Sequence, residues 1–187
     1  MALLQRISEA EYRELALSDS NETWELWDGV PLAKPIMTIR HGNTTSDLGG
    51  LLLARLDRRD HRVQFNHARA RISSSTYFVP DIAIIPVAYQ IPHEDDPHAI
   101  DAYADPLPLV VEVWSPSTGG YDLGTKLRGY QGRGDEEIWY LHPYERTLTV
   151  WRRQPDGSYD ETVSTGGTVE PATLPGVAVE LDELFAG

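Results

Sequence analysis

Residues 106–114, PLPLVVEVW, would be apolar on both faces of a strand but for one glutamate, and that combination narrows the fold more than any other stretch. Leu107, Leu109, Val111 and Val113 alternate with Pro108, Val110, Glu112 and Trp114. A period of two with apolar residues on each side is the signature of a strand covered above and below. A carboxylate in such a strand is costly unless it is paired, hydrogen-bonded or bound to a cation. Ser115-Pro116 ends the strand, because proline cannot donate to a ladder and disfavours helix at the residue before it. Gly119-Gly120 then leads into a helix predicted over residues 121–133, where Asp122, Lys126 and Tyr130 recur at steps of four and share one face. A buried acid on a strand, followed by a helix that returns a lysine, is the pattern of half a metal-dependent active site.

The remaining chain reads as one domain spanning residues 1–187, long enough for a substantial core. Ser8-Glu-Ala-Glu11 is a capping-box pattern, and it opens a short helix whose inner stripe is Tyr12 and Leu15, extended by Leu17. Asp28-Gly29 between residues 23–27 and 30–34 predicts a hairpin, with Glu25 on its first strand beside two tryptophans. On pattern alone, Glu25 is a solvent-facing strand acid. Residues 38–58 read as one long helix striped by Leu48, Leu51, Leu52 and Leu56, despite Gly42, Gly49 and Gly50 in its path. His41 near its start is a minor candidate, since a lone histidine there is more often structural.

Residues 62–66 and 70–73 read as strand pieces, and residues 79–87, VPDIAIIPV, as an apolar strand with Asp81 at its entrance. Residues 88–105 are polar, aperiodic and rich in Pro, His and acids, which predicts a long exposed loop. Antiparallel pairing of 79–87 with 107–114 across that loop would bring Asp81 beside Glu112, and two acids sharing a site need a cation or a shared proton. Further strands are expected over residues 136–142, 147–153 and 158–163, and the tail ends in a strand and a short helix. The order of elements predicts a mixed α/β (α+β) fold, a mixed sheet with helices packed on it.

Absence of cysteine excludes disulfides, thiolate zinc sites and cysteine nucleophiles. The apolar run at residues 1–12 is too short for a signal peptide and no later stretch could span a bilayer, so a cytoplasmic protein with no membrane partner is expected. A net charge of −13 weighs against a protein that coats nucleic acid, while leaving room for an enzyme that meets phosphates locally through a metal. The arginines at 55, 58, 59, 62, 69 and 71 read as a solvated surface. Oxygen ligands without cysteine suit Mg²⁺ or Mn²⁺. Such an ion activates water and offsets charge on a phosphoryl oxygen, and a lysine can support the same charge. Asp81, Glu112 and Lys126 fit those tasks, with Tyr130 a minor candidate on the lysine's helix face. The alternative for Lys126 is an i,i+4 pair with Asp122 worth about 0.2–0.5 kcal/mol.

The run WELWDG, VPDIAII, LVVEVWSPST, DLGTKLRGY, EEIWYLHP and TLTVWRR, in that order, resembles the Uma2 (DUF820) family within the PD-(D/E)XK nuclease superfamily. The resemblance runs from about residue 12 to residue 185, and its most specific part is EVxSPST followed by DLGxK. It implies a restriction-endonuclease-like fold, a central mixed sheet flanked by helices with an N-terminal hairpin, commonly assembled as a homodimer. It also implies an endonuclease that cleaves nucleic acid, DNA first, with Mg²⁺ or Mn²⁺. Asp81 matches the PD aspartate, Glu112 the acid of the second half-motif, and Glu25 the family's N-terminal acid, so that Glu25, Asp81 and Glu112 hold metal. The usual lysine position, two after Glu112, is Trp114, and Lys126 resembles the family's migrated lysine. A competing reading is a catalytically inactive nuclease-fold dimer acting as a binding or regulatory module. A two-carboxylate glycosidase ranks well below, because it explains neither Lys126 nor the strand placement.

Overall fold

Two sheets meet along their faces in the computed structural model, which describes residues 5–18 and 22–186. The first four residues, part of the run read as too short for a signal peptide, lie outside the described residues, as does Gly187. The Ser8 hydroxyl accepts from the Glu11 amide and the Glu11 carboxylate accepts from the Ser8 amide, which closes the capping box of α1 (Glu9–Ala16). Its inner residue is Tyr12, whereas Leu17 is exposed because the helix has already ended. The hairpin of β1 (Trp24–Trp27) and β2 (Val30–Ala33) turns at Asp28-Gly29, both with positive φ, as the right-handed twist of paired strands requires. Next come α2 (Ile39–Arg55), β3 (His61–Phe65), β4 (Arg69–Ser73), β5 (Thr76–Phe78) and β6 (Ile82–Pro86).

The segment expected to be an irregular loop instead holds α3 (Val87–Gln90), a 3₁₀ turn and β7 (Ala102–Tyr103). β8 (Leu109–Val113) leads to a continuous helical segment: α4 (Gly119–Tyr121), a π turn (Asp122–Lys126) and α5 (Leu127–Arg133). The chain closes with β9 (Glu137–His142), β10 (Thr147–Arg153), β11 (Tyr159–Ser164), β12 (Thr168–Val169), β13 (Val179–Glu180) and α6 (Leu181–Leu184).

The larger sheet runs β11-β10-β9-β8-β6-β3, mixed because β8 and β9 are parallel while its other neighbours are antiparallel. The N-terminal hairpin is not an appendage to it. It belongs to a second sheet, β2-β1-β5-β4-β7, in which β5 and β7, of three and two residues, are too short for periodicity to reveal. One face of β8, with Leu109, Val111 and Val113, packs with Leu48 and Leu52 of α2 and with the C-terminal segment. The other face, with Val110, packs with Phe78 and Tyr130, between the two sheets and α5. No described helix is long and apolar enough to cross a membrane.

The arginine run is not uniformly a solvated surface. Arg69 is buried, donating to the Tyr12 hydroxyl and the His67 carbonyl, and Arg71 pairs with Glu9. The glycines of α2 divide in the same way. A Cβ on Gly49 would lie 1.8 Å from the Phe65 ring, so the glycine lets α2 sit against β3, while Gly50 faces open space. Gly49→Ala should therefore cost about 1–3 kcal/mol in chemical denaturation, and Gly50→Ala should gain about 0.5–1 kcal/mol. Equal effects from the two substitutions would contradict this packing.

Candidate active site

β6 and β8 pair antiparallel with Ile82 opposite Val111, so continuing the register by one residue sets Asp81 across from Glu112. Both acids thus lie on the face turned toward the second sheet, beneath the helical segment. β1 brings Glu25 from that second sheet, and the π turn brings Asp122 and Lys126. These side chains, together with Lys34 just past β2, line a cavity of about 270 Å³.

Lys126 is 3% exposed, and its Nζ lies 2.8 Å from Glu25 Oε1, 3.1 Å from Glu112 Oε1 and 3.3 Å from Asp122 Oδ1. Burial alone would strip its charge, but those acids reverse the effect and hold the ammonium well above its ordinary pKa. Glu25 Oε1 also accepts the Val79 amide at 2.8 Å, and Glu112 Oε1 accepts the Tyr130 hydroxyl at 2.5 Å. Both the predicted i,i+4 contact of Lys126 with Asp122 and its contact with Glu112 are present.

Asp81 has separate partners. Its Oδ1 accepts from Lys34 Nζ at 2.9 Å, and its Oδ2 meets His41 Nε2 at 3.0 Å and the Val113 amide at 2.8 Å. Burial pushes its carboxyl up, but Lys34 and His41 outweigh burial and hold it below the usual carboxylate range. Lys34 is itself fixed by Asn66 Oδ1 at 2.7 Å and the Val79 carbonyl at 2.9 Å.

All the sequence-predicted residues, Glu25, Asp81, Glu112, Lys126, His41 and Tyr130, therefore converge on one cluster. Sequence reasoning missed Lys34 and gave Asp122 no role beyond its helix pair. One signal would have found Lys34: the chain has two lysines, at 34 and 126, against fourteen arginines, and both lysines sit here. Trp114 points elsewhere, stacked on His142 with ring centroids 4.4 Å apart.

The donor set fits a hard divalent ion. All four acids offer oxygen, they outnumber the two ammonium groups, and Asp122 Oδ1 is buried without an aligned hydrogen bond. Among the described residues, no three acids or histidines yet converge in a ligating arrangement, with Lys126 standing between Glu25, Glu112 and Asp122.

Burial drives the Glu112 carboxyl up to about 8 from 4.5, with Lys126 opposing and Asp122 and Asp81 reinforcing the rise. A raised acid binds a proton in the folded state that the unfolded chain has released. Its stabilising contribution is whole below pH 4.5 and is lost as pH rises through about 8. In buffer free of divalent ions, the wild type should lose about 2 kcal/mol or more relative to Glu112→Gln across that window. Urea denaturation as a function of pH measures it, and parallel profiles would refute the assignment.

The Uma2 family model, described as "Putative restriction endonuclease", matches residues 9–182. A solved structure described as a "putative nuclease belonging to DUF820", from Anabaena variabilis ATCC 29413, has a TM-score of 0.76 and 20% identity. The match covers 96% of this chain and 98% of that one. No curated protein matches the chain. The structural likeness carries the restriction-endonuclease-like fold, and the family match spans both sheets and every residue of the cluster: the chain belongs to the Uma2 family.

Proposed function

We propose that the chain is a Mg²⁺- or Mn²⁺-dependent endonuclease that hydrolyses phosphodiester bonds in nucleic acid, DNA first. The observation that carries this reading is the juxtaposition of Asp81 and Glu112 on neighbouring strands, with Glu25 and Lys126 completing a buried cluster in a cavity. Glu25, Asp81 and Glu112 are the residues that would hold the ion. When bound, it supplies an activated water and offsets charge on the phosphoryl oxygen.

The protein's own groups prepare that chemistry. Lys34, His41 and the Val113 amide keep Asp81 ionised and oriented, as second partners of a metal ligand do. Tyr130 fixes Glu112 from below. Lys126 is the cation available to the phosphate. With a net charge of −13, the duplex is gripped locally or in the cleft of a homodimer, and the reading places the enzyme in the cytoplasm.

A second reading is supported by the Lys126 contacts, because an ammonium can neutralise a relic acid cluster in a nuclease-fold binding module. Incubation with plasmid, linear duplex, single-stranded DNA and RNA, with Mg²⁺ or Mn²⁺ and with EDTA, separates the two. Cleavage should require the ion and fall about 100-fold or more in Asp81→Ala and Glu112→Ala. Nucleic-acid binding that ignores EDTA, without cleavage, would favour the binding module.

A further inference from the structure

The Lys126 ammonium stands where a cation shared by Glu25, Glu112 and Asp122 would stand. It contacts one oxygen of each, from a hairpin of one sheet, the central strand of the other and the intervening helix. The three contacts are unequal. Asp122 Oδ1 is at 3.3 Å without hydrogen-bond alignment, although its side chain is 2% exposed. A buried carboxylate oxygen left without a hydrogen bond costs free energy that a better-placed cation would recover.

Two further features bear on Lys126. Buried acids outside the cluster are locked by arginine or by other fixed donors. Asp135 takes Arg133 at 2.5 Å and the Leu107 amide at 2.7 Å, and Glu137 takes the Trp139 indole and the Ala172 amide, each at 2.8 Å. The chain's two lysines are confined to the cluster, and a lysine is a compact point charge on a flexible stem, without the rigid fork that clamps a carboxylate. Lys34 is nonetheless tied to a backbone carbonyl and an amide oxygen, whereas among the described residues Lys126 has carboxylates alone as hydrogen-bond or ion-pair partners. Lys126 also ends a π turn. Such a turn holds one residue more than α geometry, so its relaxation rotates a side chain by about 100° without unfolding the helix.

We propose that Lys126 holds the place of the divalent ion, leaves its three carboxylates when the ion binds, and so releases Asp122 as a ligand beside Glu25 and Glu112. This rests on the metal-dependent reading of the site. It also gives Lys126 two positions, one among the acids and one turned toward the phosphate.

Calorimetric titration of the full chain with MnCl₂ tests it in wild type, Lys126→Met, Lys126→Gln and Asp122→Asn, each checked for folding by circular dichroism. Removing the competing charge should tighten Mn²⁺ binding about tenfold or more, and Asp122→Asn should weaken it by a similar factor. Binding by the Lys126 variants where wild type shows none would support the exchange equally. Because the chain has two lysines, side-chain NMR of isotopically labelled lysine gives a readout in wild type that does not depend on the Lys126 or Asp122 variants folding. On adding Mg²⁺ the Lys126 signal should shift by more than the Lys34 signal, which is assigned with Lys34→Arg and reports Asp81 at 2.9 Å. Wild-type binding that the Lys126 variants leave equal or weaker, or two unmoved lysine signals at saturation, overturns the exchange and leaves the metal-dependent reading standing. Absence of binding in wild type and in the Lys126 variants overturns both.

Discussion

One buried cation bridges the two sheets and the helix that covers them. Glu25 belongs to the smaller sheet, Glu112 to the larger, and Asp122 to the helical segment that covers their junction, and the ammonium of Lys126 touches all three. Desolvating an ammonium and several carboxylates is expensive, and their mutual attraction offsets that cost only when the geometry is held by other groups. Here the Val79 amide holds Glu25 and the Tyr130 hydroxyl holds Glu112, so part of the framework is fixed independently of Lys126. Apolar packing around β8 brings these groups together, and the ion cluster sits where the two sheets meet.

The central acids were legible because strands carry their own arithmetic. Alternation in residues 107–114 located Glu112, and an antiparallel register with 79–87 was enough to set Asp81 beside it, as the pairing of Ile82 with Val111 confirms. The capping box and the Asp-Gly turn were equally local and equally readable. What escaped was non-local or short. β5 and β7 have three and two residues, so what joins the hairpin and β4 into one sheet is pairing that no pattern in the sequence announces. Lys34 follows an ordinary hairpin strand, and its role arises from Asn66, Val79 and Asp81, all more than thirty positions away. The spacing of Asp122, Lys126 and Tyr130 predicted a shared helix face, but a step of four does not announce the π turn that seats the first two.

The misreading of Arg69 has the same origin. In a run of arginines each residue looks solvated, and the Tyr12 hydroxyl that buries this one comes from a helix 57 positions earlier. Its outcome illustrates how the chain divides its cations. Arginine joins α1 to the smaller sheet and closes Asp135 at the end of α5, tasks where a planar fork fixes geometry. Lysine is kept for the acid cluster.

That division bears on how so acidic a member of a family described as restriction endonucleases would meet nucleic acid. A net charge of −13 repels a duplex at long range, yet the repulsion is screened beyond roughly 8–10 Å at physiological salt. Within that distance the local balance decides, and four acidic groups around two ammonium groups leave the cluster with no surplus of positive charge. An anionic substrate therefore gains little from the cluster as it stands. On the proposed function, adding a divalent ion and turning Lys126 outward would change the sign of what a phosphate meets, so that nucleic acid and ion would favour each other's binding. The same acidity that discourages casual contact with nucleic acid would then make engagement conditional on the ion.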